Sequence, residues 1–101
     1  MTEKLVRDKI PDLIKEDGGA PIIRIADPDE FDILLRKKLV EESEEFVSSG
    51  NSEEIADILE VIFAILRIRS LDMAQIESMR IEKKLSRGGF EKMYVLNMFD
   101  A

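Results

Sequence analysis

The chain carries two pairs of acidic residues whose spacing could place each pair on one face of a helix. Glu42 and Glu45 form the first pair, and Glu54 and Asp57 form the second; the members of each pair are three residues apart. Residues three positions apart are neighbours on a helix surface. If the two helices lie side by side, the four carboxylates can together bind a positively charged ligand.

The residues between the two pairs predict a tight turn. Residues 48–51 read Ser-Ser-Gly-Asn, in which Gly50 is suited to end one helix and Asn51 to cap the next. Glu45 and Glu54 lie five and four residues from Gly50, and the two outer acids lie eight and seven residues from it. At roughly 1.5 Å of rise per residue, an antiparallel helical hairpin brings the pairs to nearly the same two heights. The four carboxylates are therefore predicted to converge.

A converging group of carboxylates needs a cation, because like charges about 4 Å apart repel strongly when they are partly desolvated. The chain has no His and no Cys, so the available ligands are oxygen atoms. Oxygen ligands favour a hard cation, which indicates Mg²⁺, with Mn²⁺ as the alternative, rather than zinc.

The position of the acids on their helices decides between a metal site and an ordinary charged surface. An acidic run such as residues 41–45 is more often a solvated helix face. Here, however, Glu42 continues an apolar stripe formed with Leu39 and Phe46, and Asp57 does the same on the following helix. Carboxylates on an inward-facing stripe favour the metal site.

Length and composition fit one small helical domain spanning residues 1–101. The chain is 45% hydrophobic and 37% charged, and it contains no Cys, His or Trp. These absences exclude disulfides, Cys/His zinc sites and His-activated nucleophiles within the chain. The net charge of −7 argues against nonspecific nucleic-acid binding. The longest apolar run, Val61 to Leu66, is too short to cross a membrane, so we expect no membrane association and a cytoplasmic location.

Caps and helix-breaking residues predict an all-α fold. Asp27 before Pro28, and Asp72 three residues before Gln75, are helix-start patterns. The predicted helices cover residues 11–17, 28–49, 52–70 and 73–87. Two short segments, near residues 22–25 and 93–98, are predicted to be extended and to pair with each other.

The helix predicted for residues 52–70 is apolar over most of its circumference, so it must be buried on several sides. A helical bundle completed by dimerisation is the simplest solution, which predicts a homodimer or a dimer of dimers. The alternative is that the first helix and the C-terminal tail cover this helix within one chain.

The motif Glu41-Glu42-x-x-Glu45 followed by Glu54-x-x-Asp57 resembles the signature of MazG-like nucleotide pyrophosphohydrolases. These enzymes belong to the all-α NTP pyrophosphatase superfamily. Further segments are similar to a subgroup of small proteins described as phosphoribosyl-ATP pyrophosphohydrolase-like: residues 4–11, 38–42, 57–61 and 87–90. Two departures from the family stand out: only eight residues separate the two motif halves, and the chain has no His.

The resemblance implies hydrolysis of a nucleoside triphosphate, or a related nucleotide, between its α and β phosphates. Four motif acids would then hold Mg²⁺: Glu42, Glu45, Glu54 and Asp57. Glu41, at the first position of the motif, would be a metal-site or water-positioning residue, and Glu41 and Glu42 would be the catalytic residues. Glu60, one turn after Asp57, is either a supporting residue of the site or a surface charge.

Basic residues that could contact substrate phosphates are Lys38, Lys83, Lys84 and Arg87. Lys38 lies one turn before the acidic motif, and the other three cluster near the end of the last predicted helix. Favourable interaction with the helix dipole is a sufficient structural reason for this cluster. The resemblance also suggests that Arg7 and Lys9 cover the site.

Two further functions are compatible with these residues. One is phosphoribosyl-ATP hydrolysis, which would use the same metal site on a different substrate. The other is a non-catalytic, metal-stabilised module for dimerisation or partner binding.

Overall fold

The computed structural model describes residues 3–97, which contain four α-helices and no β-strand. The helices are α1 (Ile10–Glu16), α2 (Pro28–Ser49), α3 (Glu53–Ile68) and α4 (Met73–Arg87). The predicted all-α fold is confirmed, and the predicted helix ends are correct to within two residues. The two segments predicted to be extended lie outside the helices, but residues 22–25 and 93–97 form no strand. Strand pairing between them is therefore wrong for the described residues, and Met98 lies outside these residues.

The chain divides into two compact units. The first unit ends at Ser70 and contains α1, α2 and α3; the second begins at Leu71 and contains α4. The acidic motif lies entirely in the first unit.

The start of α2 follows directly from its sequence. The side chain of Asp27 accepts a hydrogen bond of 2.9 Å from the backbone N–H of Glu30, and Pro28 occupies the first helical position. This contact satisfies one of the backbone donors that a helix start leaves without a partner.

The predicted turn between α2 and α3 is formed. Gly50 follows the last residue of α2 with φ of 65°, a left-handed conformation that glycine adopts without strain. The side chain of Asn51 accepts a hydrogen bond of 3.0 Å from the backbone N–H of Glu53. Ser52, rather than Asn51, is the residue that flanks α3, although Asn51 supplies the capping oxygen. This short connection makes α2 and α3 an antiparallel pair that packs together.

The apolar core between these helices is small. Within the described residues, the buried hydrophobic side chains are Leu35 of α2 and Val61 and Leu66 of α3. Other apolar side chains of α3 stay exposed: Ile55 and Leu59 keep 46% and 43% of their surface accessible. No helix in residues 3–97 combines the length and the apolar character needed to cross a membrane.

An arginine ties the N-terminal segment to the start of α2. Arg24 donates hydrogen bonds of 3.0 and 3.2 Å to Glu3, and bonds of 2.7 and 2.6 Å to Glu30. The planar guanidinium group thus forms two hydrogen bonds with each of two carboxylates, one on each side. Glu3 is thereby linked to the start of α2, and the residues that follow it, 5–8, line the site described below.

The helix of the second unit is capped as predicted. The Asp72 side chain accepts a 3.0 Å hydrogen bond from the backbone N–H of Ala74, and Gln75 accepts one of 2.9 Å from the Asp72 backbone N–H. Together these contacts form a capping box at the start of α4.

Candidate functional site

Three acidic side chains from α2 and α3 come together in the first unit. One carboxylate oxygen from each of Glu42, Glu54 and Asp57 lies within 4.8 Å of the other two. Mg²⁺ binds oxygen ligands at about 2.0–2.1 Å, so two ligands on opposite sides of the ion lie about 4.2 Å apart. An upper limit of 4.8 Å on the distances between these oxygens is compatible with ligands gathered around one small cation.

Glu42 is the most deeply placed member of this acidic group, with 8% of its surface exposed. Burial and the neighbouring carboxylates of Glu45 and Asp57 raise its pKa, and the ammonium group of Lys38 opposes the shift. A raised pKa means that the charged form of Glu42 is disfavoured in this environment.

Glu54 experiences the same environment from the opposite helix. Burial raises its pKa first, and the carboxylates of Glu45, Asp57 and Glu42 raise it further. Glu45 itself is exposed and lies outside the group of three, yet its charge acts on both Glu42 and Glu54. The structure therefore brings three of the four predicted metal ligands together, with the fourth close enough to influence them.

Two lysines lie beside the acidic group. The Lys38 ammonium is 3.4 Å from Oε1 of Glu41 and 3.5 Å from Oε1 of Glu42, and the Lys4 ammonium is 3.4 Å from the same oxygen of Glu41. Burial tends to raise the pKa of Glu41, but Lys38 and Lys4 outweigh it and lower this pKa overall. Glu41 is thus kept ionised next to an acid whose charge is disfavoured.

The acidic group opens into a cleft of about 260 Å³ between residues 5–8, α2 and α3. Its apolar floor includes Leu35 and Val61. Its charged lining residues are Arg7, Asp8, Lys38, Glu42, Asp57, Glu60 and Arg67. The volume is just below the range of about 300–1,000 Å³ usual for small-molecule sites.

Arg7 has a contact that sequence reasoning did not identify. Its Nη2 donates a hydrogen bond of 2.8 Å to Oδ1 of Asp57. The two residues are 50 positions apart, and no helical or turn spacing relates them. The sequence suggested only that Arg7 and Lys9 lie over the site; Arg7 lines the cleft, and Lys9 is not one of its lining residues.

Two other residues, Glu60 and Arg67, line the cleft, and only Glu60 was named as a candidate from the sequence. Glu60 is exposed but lines the cleft, which favours a role beside the acidic group over that of an unrelated surface charge. Arg67 was not predicted. It lines the cleft from α3 together with Asp57 and Ala64, which lie ten and three residues before it, and this helical periodicity was the available signal.

The predicted basic cluster lies on α4 of the second unit. Lys83, Lys84 and Arg87 occupy its last two turns, and the Lys84 ammonium is 3.3 Å from a carboxylate oxygen of Glu91. Their contact with phosphate remains a prediction.

No protein-family model, curated protein or solved structure matches this chain. The function must therefore be argued from the chemistry of the site.

Proposed function

We propose that the chain is a Mg²⁺-dependent nucleotide pyrophosphohydrolase of the MazG-like kind, which cleaves a nucleoside triphosphate between its α and β phosphates. The observation that carries the proposal is the meeting of Glu42, Glu54 and Asp57 across α2 and α3. The resemblance of the acidic motif to that family assigns the metal to the same three residues and to Glu45.

The donor set fits Mg²⁺. It consists of carboxylate oxygens, and the chain has no His or Cys that would favour a softer metal. Burial, and then the neighbouring carboxylates, raise the pKa values of Glu42 and Glu54, and a divalent cation would favour their ionised forms. Mn²⁺ has similar ligand preferences and is the alternative ion.

A bound magnesium ion would neutralise phosphate charge and orient a water for attack. Glu42, Glu54 and Asp57 would hold the ion, with Glu45 supporting them. We assign Glu41 to positioning the attacking water, because its lysine neighbours keep it ionised and able to accept a hydrogen bond from that water. Both lysines contact Oε1, so Oε2 is the oxygen to which we assign the hydrogen bond from the water.

Lys38 has two roles in this proposal. In the absence of substrate it balances the charge of Glu41 and Glu42. Because its ammonium group also lines the cleft, it is placed to contact a substrate phosphate. Lys83, Lys84 and Arg87 are proposed as additional phosphate contacts on the strength of the resemblance alone.

We propose that the active form is a homodimer, or a dimer of dimers, assembled through α3. Ile55, Leu59 and Phe63 are spaced four residues apart, and each keeps 40% or more of its surface exposed. An apolar stripe of this kind is typical of a surface that a partner covers. The three-residue buried core supports the same conclusion, since so small a core stabilises a helical unit poorly. A cytoplasmic location follows from the proposed substrate, which is a cytoplasmic metabolite.

The test of the activity is a panel of ordinary, deoxy and modified nucleoside triphosphates with Mg²⁺, scored for monophosphate and pyrophosphate. We expect both products from one or a few nucleotides, and a loss of at least 100-fold in Glu42→Gln and Asp57→Asn. Glu44→Gln is the matched control, because Glu44 is an exposed acid that lines a separate shallow depression along α2.

The outcomes of the panel separate the candidate functions. Undiminished hydrolysis in both site variants would disprove the assignment. If wild-type protein binds Mn²⁺ but hydrolyses none of the panel, phosphoribosyl-ATP should be tested next. Failure there would leave a non-catalytic, metal-stabilised module.

A further inference from the structure

The contact between Arg7 and Asp57 joins the N-terminal segment to a residue of the acidic group. The guanidinium group of Arg7 donates to Oδ1 of Asp57 at 2.8 Å. Asp57 also lies within 4.8 Å of Glu42 and Glu54, so Arg7 interacts with a carboxylate that the proposed function assigns to the metal. Two cations therefore compete for one carboxylate: an arginine of the chain and the metal ion.

The ion pair is suited to exchange. Both side chains are substantially exposed, and ion pairs in contact with water are individually weak. The single hydrogen bond uses one of the five N–H donors of the guanidinium group. A divalent cation with several carboxylate ligands would displace this contact readily, and Arg7 would stay in the cleft that it lines.

A divalent cation would offset the negative charge of the cleft. The cleft lining contains three cationic and four anionic side chains, which gives a formal charge of −1, and Glu54 of the adjoining acidic group adds another negative charge. One divalent ion would add two positive charges and leave free an arginine whose planar fork suits phosphate oxygens.

We infer that Arg7 is a phosphate-contact residue, held by Asp57 until a metal ion takes over that carboxylate. This inference rests on the proposed function for the identity of the metal and of the anionic substrate. A metal ion bound to Asp57 would free Arg7 from this carboxylate. The guanidinium group of Arg7 would then be available to bind the substrate phosphates.

Arg24 contacts the same N-terminal segment outside the cleft. Its hydrogen bonds to Glu3 and Glu30 link the start of this segment to α2. These bonds involve neither Arg7 nor Asp57, so they do not have to break when the Arg7 side chain changes partner.

The test compares Arg7→Ala and Arg7→Lys with wild-type protein in two calorimetric titrations, one with Mn²⁺ and one with inorganic triphosphate in the presence of Mg²⁺. Arg7→Ala should bind Mn²⁺ about two- to five-fold more tightly, because a competing exposed ion pair is gone. It should bind triphosphate about ten-fold or more weakly, because a charged hydrogen-bond donor is gone. A residue with only a structural role would not shift the two affinities in opposite directions.

Arg7→Lys and Arg69→Ala complete the comparison. The lysine variant keeps the charge but loses the fork, so its Mn²⁺ affinity should stay near wild type while its triphosphate affinity falls. Arg69→Ala is the matched control, since Arg69 forms a similar exposed pair with Asp32, at 2.8 and 3.0 Å, outside the cleft. It should change neither affinity.

Each outcome has a defined meaning. Unchanged affinities in folded Arg7→Ala, or in Arg7→Lys if the alanine variant does not fold, would overturn the inference and leave the proposed hydrolysis standing. Opposite shifts in a protein that hydrolyses no nucleotide would support the inference and contradict the activity. A wild-type protein that binds no Mn²⁺ would overturn both.

Discussion

Lys38 and Glu42 lie one turn apart on α2, with the lysine ammonium 3.5 Å from Oε1 of the glutamate. Their side chains are only 16% and 11% exposed, so this contact is screened by water far less than a surface ion pair. The pKa of Glu42 is nevertheless raised, mainly by burial. Lys38 therefore offsets only part of the unfavourable free energy of this buried carboxylate.

A double-mutant cycle should expose that compensation. At pH 7 and without metal, Lys38→Met should lower the free energy of unfolding by about 1 kcal/mol, because Glu42 loses its counter-ion. Glu42→Gln alone should raise the stability, with a melting temperature higher by roughly 2–6 °C. In the Glu42→Gln background, Lys38→Met should lower the free energy of unfolding by less than it does in wild type. Urea unfolding measures all four proteins, and an equal loss in both backgrounds would show that the two residues are not coupled.

The stability of the metal-free protein should rise as pH falls from 7 towards 5. Glu42 and Glu54 have pKa values raised above 4.5, so they bind protons more strongly in the folded protein than in the unfolded one. Their stabilising contribution is complete below pH 4.5 and is lost as pH rises through the raised pKa values. Glu30 and Asp32 behave oppositely, because arginine contacts lower their pKa values and their contribution is lost in more acidic solution.

Magnesium should reverse this pH dependence. The ion needs ionised ligands, so its stabilisation should be larger at pH 7 than at pH 5. Thermal unfolding at both pH values, with EDTA or with Mg²⁺, gives the comparison. Glu42→Gln should weaken the pH dependence of the melting temperature both in EDTA and with Mg²⁺. A wild-type melting temperature in EDTA that falls steadily from pH 7 to pH 5 would contradict the expectation.

Leu59→Glu should dissociate the proposed homodimer. Leu59 lies in the middle of the exposed stripe on α3, and a buried charge in the centre of an apolar interface is strongly unfavourable. Light scattering coupled to size exclusion should give a dimer mass for wild type and a monomer mass for the variant. Leu59→Met, which keeps an apolar side chain of similar size, should remain dimeric. A monomeric wild-type protein would disprove this assembly.

Asp72→Ala should weaken α4. The substitution removes the side-chain oxygen that accepts from the backbone N–H of Ala74, and loss of such a cap typically lowers stability by about 0.5–2 kcal/mol. Asp72→Asn keeps a capping oxygen and should recover most of the difference. Circular dichroism during thermal unfolding measures the effect, and identical curves for wild type and Asp72→Ala would show that the cap contributes nothing.

The strand prediction for residues 22–25 was wrong because a strand needs a neighbouring strand, which can lie far away in the sequence. Residues 22–25 contain β-branched side chains that favour strands, yet Ile22 and Ile25 are 100% and 95% exposed and form no strand. Strand propensity is a preference for a pleated, partly buried surface, and without a neighbouring strand it has nothing to pair with. The amino-acid composition of this segment indicated a strand preference, but it could not show whether a second strand lies beside it.

The sequence by itself determined the helices, the turn at Gly50 and the approach of the two acidic pairs. Each depends on spacings of a few residues, and a short turn transfers helical periodicity from α2 to α3. Only the tertiary structure decided that Glu45 stays outside the group of three and that Arg7 reaches Asp57 across 50 residues. The physical reason is that these features depend on how a non-helical segment and individual side chains settle against α2 and α3, and no local periodicity encodes that.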